Sequence, residues 1–177
     1  EGRTFGFESL HDRGQLGDGS TVNSLSPIAV SGLSSGVTSI GAGFYHTCAL
    51  IAGGAMKCWG YNQYGALGDG SSATRTTPVD VVGLSGAAAV SPGALSTCVL
   101  MALGDVKCWG YNNFGNLGRG NTVSYYAPDT TFINLGGAAT AIVTGDDHNC
   151  ATINGQMLCW GHGNFGQLGT GSTSDYY

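Results

Sequence analysis

Charge is scarce in this chain: Asp, Glu, Lys and Arg together supply 10% of its 177 residues, against about 25% in an ordinary soluble domain. Long amphipathic helices need a charged solvent face and are disfavoured by that shortage. The six basic residues are spread from Arg3 to Arg119 without a cluster. There is therefore no electrostatic footprint for a nucleic-acid backbone or an anionic membrane surface. Long apolar runs are missing as well. The candidate span, Val81 to Leu103, carries no charge but is broken by Gly83, Gly86, Pro92 and Gly93, whereas a spanning helix needs about 20 predominantly apolar residues. It reads as two strands and a turn, and no direct membrane insertion is expected. Glu1 is followed by no basic segment with an apolar run behind it, which places any secretion signal outside this chain. No Asn-x-Ser/Thr acceptor for N-glycosylation occurs.

Glycine is what the chain has in excess, 32 residues, beside six Cys and a net charge of -5. The glycines mark a repeat. Cys58-Trp59-Gly60-Tyr61-Asn62-Gln63-Tyr64-Gly65-Ala66-Leu67-Gly68-Asp69-Gly70 returns from Cys108 to Gly120 and again from Cys159 to Gly171, and the three Trp are spaced by 50 and 51 residues. The upstream half repeats too, as His46-Thr47-Cys48-Ala49-Leu50, Ser96-Thr97-Cys98-Val99-Leu100 and His148-Asn149-Cys150-Ala151-Thr152. A partial copy opens as Gly14-Gln15-Leu16-Gly17-Asp18-Gly19, with Phe5-Gly6-Phe7 roughly where Trp-Gly-Tyr would fall and an insertion around Glu8 to Arg13.

Pro27, Pro78 and Pro128 each follow the last glycine of that segment by eight residues. These register marks divide the chain into a partial or divergent first repeat (1–26) and three further repeats (27–77, 78–127 and 128–177), the last short of its closing proline. The arithmetic predicts part of a longer repeat protein.

Each of the three later repeats contains a hairpin between its two cysteines, whereas the first has no Trp and no Cys. Asn154-Gly155 is the strongest two-residue hairpin signal, because both residues tolerate positive φ. Pairing outward sets Ile153 opposite Gln156, Thr152 opposite Met157, Ala151 opposite Leu158 and Cys150 opposite Cys159. The earlier copies carry one more residue, which suits three-residue loops at Ala52-Gly53-Gly54 and Ala102-Leu103-Gly104, and again sets Cys48 opposite Cys58 and Cys98 opposite Cys108. Facing cysteines at non-hydrogen-bonded sites have Cα atoms about 4.5 Å apart, within disulfide range. Free thiols or a metal are the competing readings, but zinc calls for closer ligand spacing such as paired Cys-x2-Cys. Three disulfides are expected, and with them an oxidising compartment. Four short strands per unit of about 50 residues complete the reading: the two Cys strands, one upstream of them, and one around Pro27 to Val30, Pro78 to Val82 and Pro128 to Ile133. Such units must stack to bury both faces, and a radial arrangement of four-stranded blades does this.

The motif His-Thr-Cys-Ala-Leu followed by Lys-Cys-Trp-Gly-Tyr-Asn-x-Tyr-Gly-x-Leu-Gly-x-Gly closely resembles the regulator of chromosome condensation repeat, over nearly the whole chain. The resemblance implies an all-β, seven-bladed propeller, of which about three and a half blades are present. It also places the cysteine-bearing copies nearer to secreted or surface-exposed members than to the nuclear prototype. What it implies for function is a non-catalytic, extracellular or cell-surface module that presents loops to a protein or glycan, or that self-assembles into a surface structure. The alternative is a regulator of another enzyme, since the family includes guanine-nucleotide exchange factors and is similar in type to a secreted β-lactamase inhibitor.

Individual residues point the same way. Trp59, Trp109 and Trp160 suit packing between blades better than ligand binding. His46 and His148 share a position that holds Ser96 in the middle copy, so a structural role is expected; His11 and His162 have no Cys or carboxylate at ligand spacing. Asp146 and Asp147 adjoin His148, but no nucleophile or oxyanion donor accompanies them, and they read as the solvated start of a strand. Gly68-Asp69-Gly70 is a tight turn, since Asp69 becomes Arg119 and Thr170 in the other copies, which a calcium site would not tolerate. No catalytic residue, cofactor or metal is expected. Binding normally resides on loops that vary over a constant scaffold, which nominates Arg75, Tyr125, Tyr126, Tyr176 and Tyr177. The competing reading is that these tyrosines cover a blade edge.

Overall fold

The Asn154-Gly155 turn forms as its residues dictate, with φ of 51° and 79°. It joins β9 (His148–Ile153) to β10 (Gln156–Gly161) in the register Ile153 to Gln156 through Cys150 to Cys159. The longer turns close β2 (His46–Ile51) on β3 (Ala55–Gly60) and β6 (Ser96–Met101) on β7 (Val106–Gly110), with left-handed Gly54 and Gly104 ending each loop. All three cysteine pairs are disulfides, Cys48–Cys58, Cys98–Cys108 and Cys150–Cys159, each with Cα atoms 4.1 Å apart. A bridge closing a loop of that length contributes about 2 to 3 kcal/mol.

This computed structural model describes residues 12–176, so Phe5-Gly6-Phe7, most of the Glu8 to Arg13 insertion, His11 and Tyr177 lie outside the described residues. Among the described residues every regular element is a strand, and no helix is long and apolar enough to cross a membrane. Upstream of each cysteine hairpin runs one more antiparallel strand: β1 (Val37–Ala42), β5 (Ala87–Pro92) and β8 (Ala139–Thr144). The uncharged Val81 to Leu103 stretch thus holds two strands and a turn. Strands β1, β5 and β8 pack against one another from sheet to sheet. Their backbones come so close that a Cβ on Gly93 would lie 2.5 Å from the Gly145 carbonyl oxygen.

The first sheet has a fourth strand, β4 (Arg75–Asp80), pairing Val79 with Cys58. The other two sheets have three strands, with isolated bridges Gly110 to Tyr125 and Gly161 to Tyr176 in place of a fourth. The strands expected at Pro27 to Val30 and Pro128 to Ile133 do not form. In the second sheet the reason is visible. Arg119 donates to the Cys108 carbonyl at 3.0 Å, and Lys107 Nζ reaches the Asp129 carbonyl at 2.6 Å, so side chains occupy the edge a strand would pair with. The charge at one repeat position has also reversed sign. Asp69 pairs with Arg75 in the first sheet (2.9 Å), whereas Arg119 pairs with Asp129 in the second (2.6 Å).

The core lies between sheets. Leu50, Met56 and Leu67 of the first sheet and its following loop meet Val99 and Trp109 of the second, and Val106 and Leu117 of the second meet Ile142, Ile153 and Trp160 of the third.

Candidate functional site

The joint between blades repeats one device. Trp59, Trp109 and Trp160 donate their indole N–H to the backbone carbonyls of Gln15 (2.8 Å), Ala66 (3.0 Å) and Asn116 (2.9 Å) in the preceding copy. The same carbonyls accept a second bond, from Thr47 Oγ1 at 3.0 Å, Thr97 Oγ1 at 2.8 Å and the Asn149 amide. The tryptophans are buried, and their expected place between blades is where they lie. His46 is buried beside this joint, with Nε2 2.7 Å from Thr97 Oγ1. The Thr97 hydroxyl hydrogen is committed to Ala66, so Thr97 accepts from His46 Nε2–H and the neutral Nε2–H tautomer is assigned. Burial pushes the His46 pKa down to about 4, and the Ala94 backbone, which makes no hydrogen bond to Nδ1, opposes it weakly.

The long loops after β3 and β7 are held from inside by Asn62 and Asn112, both wholly buried. Each accepts from the amide of the repeat leucine, Leu67 at 2.9 Å and Leu117 at 2.8 Å, and donates forward to carbonyls of Ser71 and Ala73 or of Asn121 and Val123. Asp69 belongs to the same staple. Burial pushes its carboxyl up, but Ser71, Arg75 and Asn62 outweigh that and hold it below the usual carboxylate range. In the third copy, where Gly163 replaces the asparagine, Asp175 Oδ1 accepts the Gly163 amide instead.

These rigid loops leave each sheet at the same end as the β1–β2, β5–β6 and β8–β9 turns, because adjacent antiparallel strands bring the end of one beside the start of the next. Backbone bonds from Tyr61 to Tyr45 (2.9 Å), Tyr111 to Leu95 (3.0 Å) and His162 to Asp147 (2.9 Å) lock loop to turn. On that face the rings form a ladder that crosses the joints. Tyr64 meets Tyr111 of the next copy edge-on at 4.9 Å, and Phe114 stacks on His162 of the next at 4.1 Å and 21°. Phe44, Tyr45 and Tyr61 continue it at one end, and Phe165, 86% exposed, at the other. A cleft of about 340 Å³ opens among Tyr45, Tyr64, Tyr111, Phe114 and the turn bearing Asp146 and Asp147.

Asp147 is not the solvated start of a strand that the sequence suggests. It is half-buried, and burial raises its carboxyl, with the neighbouring His162 opposing, Asp146 reinforcing and His148 opposing. The structure therefore brings His162 near a carboxylate that sequence spacing does not connect to it. Burial, then Asp147, also raise the Tyr111 hydroxyl. Among the described residues no three His, Cys, Asp or Glu converge as a metal site.

The loop residues nominated from sequence lie elsewhere. Arg75 is the first residue of β4 and is engaged with Asp69. Tyr125 is half-buried against both cores, with the Arg119 guanidinium 4.2 Å from its ring centre. Tyr126 and Tyr176 are about half exposed, at 44% and 51%. The aromatic ladder and the asparagine staples escaped sequence reading, although Tyr61, Tyr111 and His162 recur at one offset and Tyr64, Phe114 and Phe165 at another.

The family profile described as "Regulator of chromosome condensation (RCC1) repeat" matches residues 4–50, 54–100 and 104–152. A second profile of the same repeat matches 37–66, 88–116 and 139–167. The E3 ubiquitin-protein ligase HERC2 of Homo sapiens and that of Mus musculus are each 31% identical over 168 residues, covering 92% of this chain and 2% of theirs. Among solved structures, Prp20p from Saccharomyces cerevisiae superposes with a TM-score of 0.71 at 22% identity, over 80% of this chain and 37% of that one. Human WBSCR16 superposes with 0.68 at 25%, over 80% and 38%. The chain thus spans a small fraction of its curated relatives and a little over a third of these propellers. It belongs to the regulator of chromosome condensation repeat family, and its sheets of three to four strands are successive blades of a β-propeller.

Proposed function

We propose that this chain is a non-catalytic, extracellular propeller module that binds a protein partner through the aromatic face, with a glycan or a surface assembly of its own kind as the other occupants that face would suit. The observation that carries the reading is the ladder from Tyr64 to Tyr111 and from Phe114 to His162, rings of neighbouring blades held together on one rigid surface. Pre-ordered aromatic side chains give contact area at low entropic cost and are enriched in interfaces. The yeast propeller Prp20, solved with Kap60 bound and described as binding Gsp1p and histones, supports protein binding by this fold. The extracellular part rests on the disulfides, which leave no free cysteine among the described residues. An enzyme-regulating role through the same face is the second reading, favoured only by the family.

The test is cross-linking and capture from the protein's native source. Tyr111→Ser and Phe114→Ser are expected to lose the retained partner. Leu103→Ser, at the opposite end of the second blade and 86% exposed, is expected to keep it. Retention by both face variants would refute the binding face. Intact mass of source-purified protein, alkylated with and without reduction, checks the compartment, and cysteines that alkylate without reduction would move the protein inside the cell.

A further inference from the structure

One joint before the cleft, the same face already holds a cation. The Arg13 guanidinium lies 5.1 Å from the centre of the Tyr61 ring, in a cleft of about 250 Å³ that it lines with Tyr45, Tyr61 and Tyr64. Its counter-ion is Asp12, 3.1 Å from Arg13 Nε. Arg13 holds the repeat position that Tyr64 holds one copy later, so at the next joint the Tyr64 ring meets Tyr111 where the guanidinium meets Tyr61, and the cleft beside that ring has no cation of its own. Tyr64, Tyr111 and Phe114 supply rings and Asp146 and Asp147 supply carboxylates, and its lining contains no Lys or Arg. Neither aspartate takes part in any ion pair among the described residues. A half-buried carboxylate beside aromatic faces, each ring negative over its plane, with His148 and His162 near it but no Lys or Arg, is a complement to a permanent positive charge.

We propose that the cleft between Tyr64, Tyr111 and Phe114 binds the guanidinium of an arginine from a protein partner, with the Asp147 carboxylate as its counter-ion. This deepens the binding-face reading and rests on it. Arginine is the group named because its planar, weakly hydrated guanidinium stacks on rings while its N–H donors reach a carboxylate, and because Arg13 already sets a guanidinium against a ring of this same face. A sugar ring would also stack on the aromatics, but it brings no charge to Asp147 in a chain whose net charge is -5.

The probe is N-acetyl-arginine amide, titrated into the chain and followed by NMR, with N-acetyl-citrulline amide as the neutral isostere. Saturable shifts at the Tyr111 and Phe114 rings are expected for arginine and not for citrulline. Asp147→Asn is expected to weaken binding about tenfold, the loss of one charge-assisted hydrogen bond. Asp105→Asn, in the β6–β7 hairpin at the far end of the blade, is expected to leave it unchanged. Equal binding of citrulline, indifference to Asp147→Asn, shifts mapping away from the cleft, or no saturable shift would each overturn the proposal. If arginine amide fails while Tyr111→Ser still loses the captured partner, the cation site is wrong and the binding face stands. If both fail, both are wrong.

Discussion

Trp109→Ala is expected to cost about 3 to 5 kcal/mol of unfolding free energy, the range for truncating a large buried aromatic. Trp109 is fully buried among Leu50, Leu67, Val81 and Val99, and its N–H bonds to Ala66. Most of those contacts belong to the first blade and the segment between the two blades. In stacked repeats stability is roughly the sum of unit terms and neighbour terms, so this substitution weakens a joint more than a blade. Denaturant unfolding of the variant is therefore expected to split into two transitions. Trp109→Phe keeps one aromatic ring, loses the donor and leaves a small cavity, for about 2 kcal/mol, the Ala66 carbonyl still being bonded by Thr97. A loss below about 1 kcal/mol for the alanine variant, against that reference range, would show that the indole does not hold the joint.

Acid is expected to destabilise the fold through His46. Its pKa is pushed down to about 4 by burial, from an ordinary 6.5. Below pH 6.5 the unfolded chain takes up a proton that the folded chain refuses. The stability it confers is full above that pH, falls as pH drops, and levels off near pH 4, a loss of about 3 kcal/mol. His46→Ser places at this position the residue that Ser96 supplies, also buried, in the second blade. Denaturation midpoints of the two proteins between pH 8 and pH 4 are expected to converge as pH falls, since carboxylates titrate in both and only the parent has the histidine. Parallel pH profiles would mean that His46 is not buried neutral.

What was legible in the sequence was what is encoded locally. Asn154-Gly155 specifies its turn by two residues' tolerance of positive φ, and once the turn is set, counting outward places Cys150 against Cys159 with no further information. The tryptophans were legible as packing because they recur at constant offsets. The fourth strand was not, since whether Pro128 to Ile133 pairs depends on what Arg119 and Lys107 do at the edge, and those contacts are made across a long loop. Asp147 looked exposed because its burial comes from His162 and its neighbours on another strand's loop. The joint itself was hardest to see, for its acceptors are main-chain carbonyls of residues whose side chains differ from copy to copy.

That last property reaches beyond folding. Gln15, Ala66 and Asn116 have no side-chain group common to all three, two being carboxamides and one a methyl, yet each offers the same main-chain oxygen to the next copy's Trp and its Thr or Asn. The acceptor side asks only for a glycine two residues on, Gly17, Gly68 and Gly118, where a Cβ would crowd the indole nitrogen, and every copy carries it. Unequal crossing-over between copies of the gene would join a donor half to an acceptor half it has never met, and the product would already fit. A lineage built this way can gain, lose or exchange units without a compensating mutation at the junction, which leaves selection free to act on the rings that face outward.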